Sequence, residues 1–142
     1  MVVCRARDAT HGSHLLANKH LGLLHAERFA HWRGADLVQY WRTFEQLEHF
    51  ARDPKLLHLP AWKAFNQAVG SDGSVGIWHE TYLIHAGQYE CVYGNMPRRG
   101  LALAGKHAPA TGRRETARRR LGLDGEPAVP SYPNPESPDT DA

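Results

Sequence analysis

Two cysteines are all this chain has, Cys4 and Cys91. They are too few and too far apart for a disulfide framework or a CxxC metal or redox motif, and they fit a reducing compartment. No apolar run approaches the roughly 18 residues of a membrane span, and Met1 to Thr10 lacks the apolar centre of a secretory signal. The expectation is a soluble cytoplasmic protein. Net charge is also scarce, only +2 over 142 residues, so whole-chain charge selects no partner. HExxH, GxGxxG and GxxxxGK[ST] are all missing, which argues against a zincin, a dinucleotide fold and a P-loop. The glycine-rich stretch 70–76 reads as a loop.

What is present is an ordinary globular composition, 42% apolar and 23% charged, at a length suited to one domain. Three segments emerge: an irregular start (1–20), a folded domain (21–121), and a disordered tail (122–142) that holds five of the nine prolines. Met1 to Cys4 has the composition of a few-residue strand. Residues 21–31 and 35–41 suggest a hairpin around Trp32-Arg33-Gly34, although the alternation in the first arm is not clean. Thr43 and Gln46 form a capping box, followed by Phe44, Leu47, Phe50 and Ala51 on one helical face. Asp53-Pro54 ends that helix, and Pro60 opens another over 61–69. Val75 to Ile84 is the strongest strand signal, Gln88 to Tyr93 a shorter one, and 111–121 a basic helix capped by Thr111 with Glu115 paired to Arg119. Strand, strand, helix pair, strand describes an α+β sandwich, an antiparallel sheet with helices on one face. A split βαβ unit would begin with a further strand and helix, and nothing convincing occupies their place.

Six runs carry a resemblance: Leu37-Val38-Gln39-Tyr40-Trp41-Arg42-Thr43-Phe44-Glu45, His58-Leu59-Pro60-Ala61-Trp62, Gly76-Ile77-Trp78-His79-Glu80-Thr81-Tyr82, Gly87-Gln88-Tyr89-Glu90, Tyr93-Gly94-Asn95-Met96-Pro97 and Pro109-Ala110-Thr111-Gly112-Arg113-Arg114. In this order, over about residues 34–121, the chain resembles a bacterial family catalogued as a domain of unknown function and labelled "monooxygenase family protein". The resemblance implies a ferredoxin-like subunit of the dimeric α+β-barrel superfamily, paired sheet to sheet with a twin. Relatives there include cofactor-free quinol-forming monooxygenases and haem enzymes. Residues 1–20 do not match the family's first strand and long first helix, so these elements are expected to be missing.

Within that frame His79 is the candidate general base, because an imidazole ordinarily titrates near neutrality. On a strand it faces away from its neighbour Glu80, which shares a side with Trp78 and Tyr82. Tyr82, Tyr93 and Asn95 are candidates to orient a phenol or carbonyl oxygen. Trp41, Trp62, Phe65, Trp78 and Glu80 are candidates to line a substrate pocket. For most of the aromatics a plain core role is favoured, and for His79 a hydrogen-bonded structural role is the stronger alternative. Ten histidines are many for this length, but none has zinc spacing. No resident cofactor is expected. Haem stays an alternative, since a single axial histidine needs no motif. His11, His14, His20, His25 and His31 lie in the unmatched start and are assigned no role. The arginines of 113–120 sit beside an acidic tail and read as a solvated surface, not a nucleic-acid site. The expected function is a monooxygenase-like homodimer acting on a small apolar or aromatic molecule. The alternatives are a non-catalytic ligand- or haem-binding module and a truncated, inactive family member.

Overall fold

The structure, a computed structural model, describes residues 2–6, 19–32, 34–56, 58–69 and 76–125. The chain divides into two compact units, Met1–His85 with Tyr93–Ala108, and Ala86–Val92 with Pro109–Ala142.

The first unit is built on a four-stranded sheet. Its strands are β1 (Val2–Ala6), β2 (Leu23–His31), β3 (Gly34–Trp41) and β4 (His79–Leu83), in the spatial order β2-β3-β1-β4. Every neighbouring pair is antiparallel. The β2–β3 hairpin forms where the alternation predicted it. The expectation of a missing first strand is corrected: β1 lies inside the sheet, with Val3 opposite both Tyr40 and Tyr82. Two β-branched residues suit a strand, but the sheet positions on both sides are what hold so short a segment. The place of a first helix falls in 7–18, outside the described residues.

Helix α1 (Phe44–Arg52) starts at Thr43, whose hydroxyl accepts the Gln46 amide at 3.3 Å. Only this half of the capping box forms. Gln46 turns its amide group against Gly22, where a Cβ would lie 2.1 Å from Oε1, and that oxygen is buried without a hydrogen-bond partner. Leu47 and Phe50 point inward onto Leu23 and Trp41 and form the core with them. Trp41 is fully buried, its ring 5.3 Å from that of Phe50 and its indole N–H donated to Gln39 Oε1 at 3.1 Å. Helix α2 (His58–Ala68) begins two residues before Pro60, which fits because a first-turn residue needs no N–H partner. None of its residues is fully buried.

Thr43→Ala is expected to cost about 1 kcal/mol through loss of the cap, with Thr43→Ser restoring most of it. The Glu45 carboxyl is held below its ordinary value by its own backbone N–H and then by the Thr43 hydroxyl. A depressed carboxyl stabilises the fold above its unfolded-state value and loses that contribution as pH falls through the folded-state value. The wild-type advantage over Thr43→Ala in urea denaturation should therefore be larger at neutral pH than in acid. An equal gap at both pH values would remove Glu45 from the account.

Two strand expectations are corrected. Of the expected strand Val75–Ile84, Val75 lies outside the described residues, and of 76–84 only His79–Leu83 is strand, because β4 pairs with β1 alone and β1 offers five residues. Gln88–Tyr93 forms no strand despite its composition, and among the described residues no strand pairs with it. A further helix, α3 (Leu101–Ala104), approaches β2 on the sheet face opposite α1, so that face is not bare.

The second unit replaces the expected helix over 111–121 with a 3-10 turn at Gly112–Arg114 and a short helix, α4 (Ala117–Arg120). Gly112 at φ +55° breaks the helical path, and Thr116, not Thr111, caps α4 by accepting the Arg119 amide at 3.2 Å. Arg120 ties the unit together. Its Nε bonds Glu90 Oε2 at 2.8 Å, and its Nη1 bonds the carbonyls of Arg114 and Glu115 at 2.8 and 2.7 Å. The expected tail lies outside the described residues from 126 onward.

Candidate functional site

Strand β4 separates the expected site residues by parity. Register places Glu80 and Tyr82 on the outer sheet face, away from α1, and His79 on the helix side. Tyr82 donates its hydroxyl to Glu80 Oε2 at 2.5 Å, so these two are brought together. All five β4 residues are exposed, as is Trp78 just before them.

The other expected residues are placed apart. Trp41 is core. Trp62 and Phe65 stack on each other along α2, centroids 6.3 Å apart, with Trp62 exposed. Tyr93 staples a turn: its hydroxyl donates to the Arg99 carbonyl at 2.7 Å and accepts the Ala102 amide at 3.2 Å. Asn95 sits exposed in that turn at φ +49°, a left-handed conformation that asparagine tolerates better than most residues.

The outer face also carries a cluster that the sequence reading passed over. A bulge between Leu23 and His25 shifts the β2 register by one residue. Leu23 stays on the core side with Trp41, while His25 becomes the partner of Tyr40 and turns outward. The two rings lie 6.2 Å apart and 23° from parallel. Glu27, two residues on, faces the same way. Its Oε1 accepts the Gly100 amide at 3.0 Å and lies 3.5 Å from His25 Nε2. That nitrogen is buried without a hydrogen-bond partner, because the carboxylate is within ion-pair reach but aligned on Gly100. The His25 and Glu27 side chains are 17% and 16% exposed. An unsatisfied buried polar atom costs about 1–3 kcal/mol, so its retention asks for a reason. Gly100, buried at φ +51°, closes the cluster, and a Cβ there would stand 2.8 Å from the Tyr40 hydroxyl.

Tyr40 and Tyr82 both align with Val3, one on each side of β1, and so share the outer face on the order of 10 Å apart. Around these two phenols the face carries His25, Glu27 and Glu80, with His31 and Asp36 farther along β2 and β3. The only available signal in the sequence was the broken alternation of 21–31, which is what a bulge leaves behind.

Elsewhere, Arg118 donates to the Asp124 carbonyl and Arg120 is spent on Glu90 and two carbonyls, so part of the basic run is structural. Among the described residues, no three His, Cys, Asp or Glu side chains converge as a metal site, and no helix is long and apolar enough to cross a membrane.

The model of the monooxygenase af470-like family matches residues 5–101. The match begins within β1, so residues 5–20, expected to fall outside the resemblance, lie inside it. Monooxygenase af470 of Aspergillus fumigatus is 36% identical over 83 residues, covering 53% of this chain and 28% of the relative. The chain thus spans little more than a quarter of that fungal protein's length. No solved structure matches. A match over the sheet, α1, α2 and the Gly100 turn settles the kinship: the chain belongs to the monooxygenase af470-like family.

Proposed function

We propose that this chain is a subunit of a monooxygenase-like enzyme that oxygenates a small apolar or aromatic molecule. The observation that carries the reading is the family match across residues 5–101. The strand order β2-β3-β1-β4 supports a ferredoxin-like subunit, since a split βαβ repeat produces this order. The finer reading is a cytoplasmic homodimer of the α+β-barrel kind, paired through the outer sheet face, where Phe29 and Tyr82 are exposed. Such pairing would bury the polar groups of that face and exclude water from them.

No resident cofactor is invoked, because an electron-rich phenol can supply the electrons itself. Phenol and dioxygen give a quinone and water; one oxygen atom enters the ring, the other leaves as water, and all four electrons come from the substrate. The protein's part is to ionise the hydroxyl and orient it. On the outer face Tyr82 with Glu80 would be the orienting pair, while His79, the base proposed from the sequence, lies on the helix side of β4 and would serve only a substrate bound there; Tyr93 and Asn95 shape the turn before α3.

The test is oxygen uptake by the purified protein with naphthohydroquinone and substituted phenols, under heavy-oxygen gas, together with sedimentation. Uptake above the uncatalysed rate, one labelled oxygen per product and a dimer without a haem band are expected. No uptake with any substrate would overturn the enzyme reading in favour of a binding module. A haem band would overturn the cofactor-free mechanism, and a monomer the sheet pairing.

A further inference from the structure

We infer that His25, Glu27 and Tyr40 form a proton-accepting site for a phenolic or enolic hydroxyl on the outer sheet face. The inference takes only its ligand class from the monooxygenase-like reading. Its support is geometric.

The bulge is the first support. It spends one residue of β2 to turn His25 out of the core side and against Tyr40, and re-aiming a side chain beside a functional site is a recurrent use of such irregularities. The carboxylate is the second. Glu27 Oε1 stands beside His25 Nε2 and is fixed in place by the Gly100 amide. A carboxylate beside one ring nitrogen favours the tautomer protonated there and leaves the other nitrogen, Nδ1, to accept a proton. The third is the neighbouring phenol. The Tyr40 hydroxyl and Glu27 Oε2 both lie against the Gly100 turn, 2.8 and 3.9 Å from where a Cβ on Gly100 would stand. A hydroxyl group so held can donate to an oxygen on which negative charge develops.

The step is a simple proton transfer. The ligand's O–H bond breaks, its electron pair stays on the oxygen, and the proton goes to His25 Nδ1. The resulting imidazolium faces Glu27, whose opposite charge stabilises it. His25 is thus the catalytic residue, Glu27 the positioning residue, and Tyr40 the donor to the new phenolate. No oxidant takes part in this step.

The experiment uses para-nitrophenol, which absorbs in the visible only as the phenolate, at a pH where it is mostly protonated in water. Binding to the full chain should generate the phenolate band. His25→Gln and His25→Asn should each abolish it. Glu27→Gln should lower the bound phenolate-to-phenol ratio, because it removes the carboxylate that stands 3.5 Å from His25 Nε2. Thermal melts establish that each variant is folded, and two His25 variants guard against one that is not.

A band retained by either folded His25 variant would overturn the proposal. So would loss of the band in His79→Ala with retention in His25→Gln, which would move the base to β4. Absence of any band with the wild-type protein would overturn it as well. The enzyme reading fails separately: a His25-dependent band without oxygen uptake keeps this site and removes the oxygenase, whereas uptake that persists in His25→Gln keeps the oxygenase and removes this site.

Discussion

Gly100→Ala is expected to destabilise the first unit by about 2–4 kcal/mol, in thermal or urea unfolding. Two costs combine. The residue sits at φ +51° and ψ −119°, a conformation that is nearly reserved for glycine. An added Cβ would also stand 2.8 Å from the Tyr40 hydroxyl. Relief by moving the turn would break the amide's bond to Glu27 and strain the Tyr93 staple on Arg99 and Ala102. At this chain length the unfolding midpoint should drop by several degrees. Gly94→Ala is the control. Nothing lies within 4 Å of its Cβ position, and its φ is not positive. A change within about 0.5 kcal/mol is expected there. If the two variants behaved alike, the tight fit over Tyr40 would be refuted.

Trp41→Ala should cost more, about 3–5 kcal/mol. Trp41 is fully buried among Leu23, Leu47 and Phe50, and among the described residues no other large side chain is so completely enclosed. Its loss leaves a cavity that a strand on one side and α1 on the other cannot close. It also strips Gln39, itself buried, of the indole donor. Trp41→Phe helps to separate the two terms, since it keeps most of the apolar volume and removes the N–H. Trp62→Ala, on an exposed position of α2, should stay within about 1 kcal/mol. Urea denaturation of the three variants measures the order. A Trp41→Ala protein that unfolds like wild type but binds phenols poorly would return Trp41 to the pocket wall proposed from the sequence.

How far such features can be read in advance depends on how local their causes are. The β2–β3 hairpin and α1 were legible because their signals are contained within them. Strand β3 alternates, Gly34 starts it, and Thr43 begins a helix whose Leu47 and Phe50 fall on one side. Strand β1 was not legible as part of the sheet, because what makes Val2–Ala6 a strand is the company of β3 and β4, both distant in sequence. Gln88–Tyr93 shows the converse, strand-prone residues left without a partner. Residues 111–121 had helical composition, but Gly112 and the tertiary use of Arg120 decided their path.

The candidate site divides in the same way. Period two alone put Glu80 and Tyr82 together and His79 apart. The pairing of His25 with Tyr40 needed a bulge, which no period predicts, and the closure by Gly100 needed a contact 73 residues away in sequence. The roles expected of Tyr93 and Asn95 rested on side-chain chemistry; the Tyr93 hydroxyl bonds the Arg99 carbonyl and the Ala102 amide, and Asn95 takes a left-handed φ.

The unequal burial of the four tryptophans has an optical consequence. Trp32 is almost wholly exposed and Trp62 and Trp78 are about 40% so, while Trp41 is shut away. Native emission is then dominated by indoles already in contact with water, and the spectrum is red-shifted before any unfolding begins. A soluble quencher should reach three emitters and miss one. The quencher-resistant fraction is the signal that follows the core, and the total intensity is not.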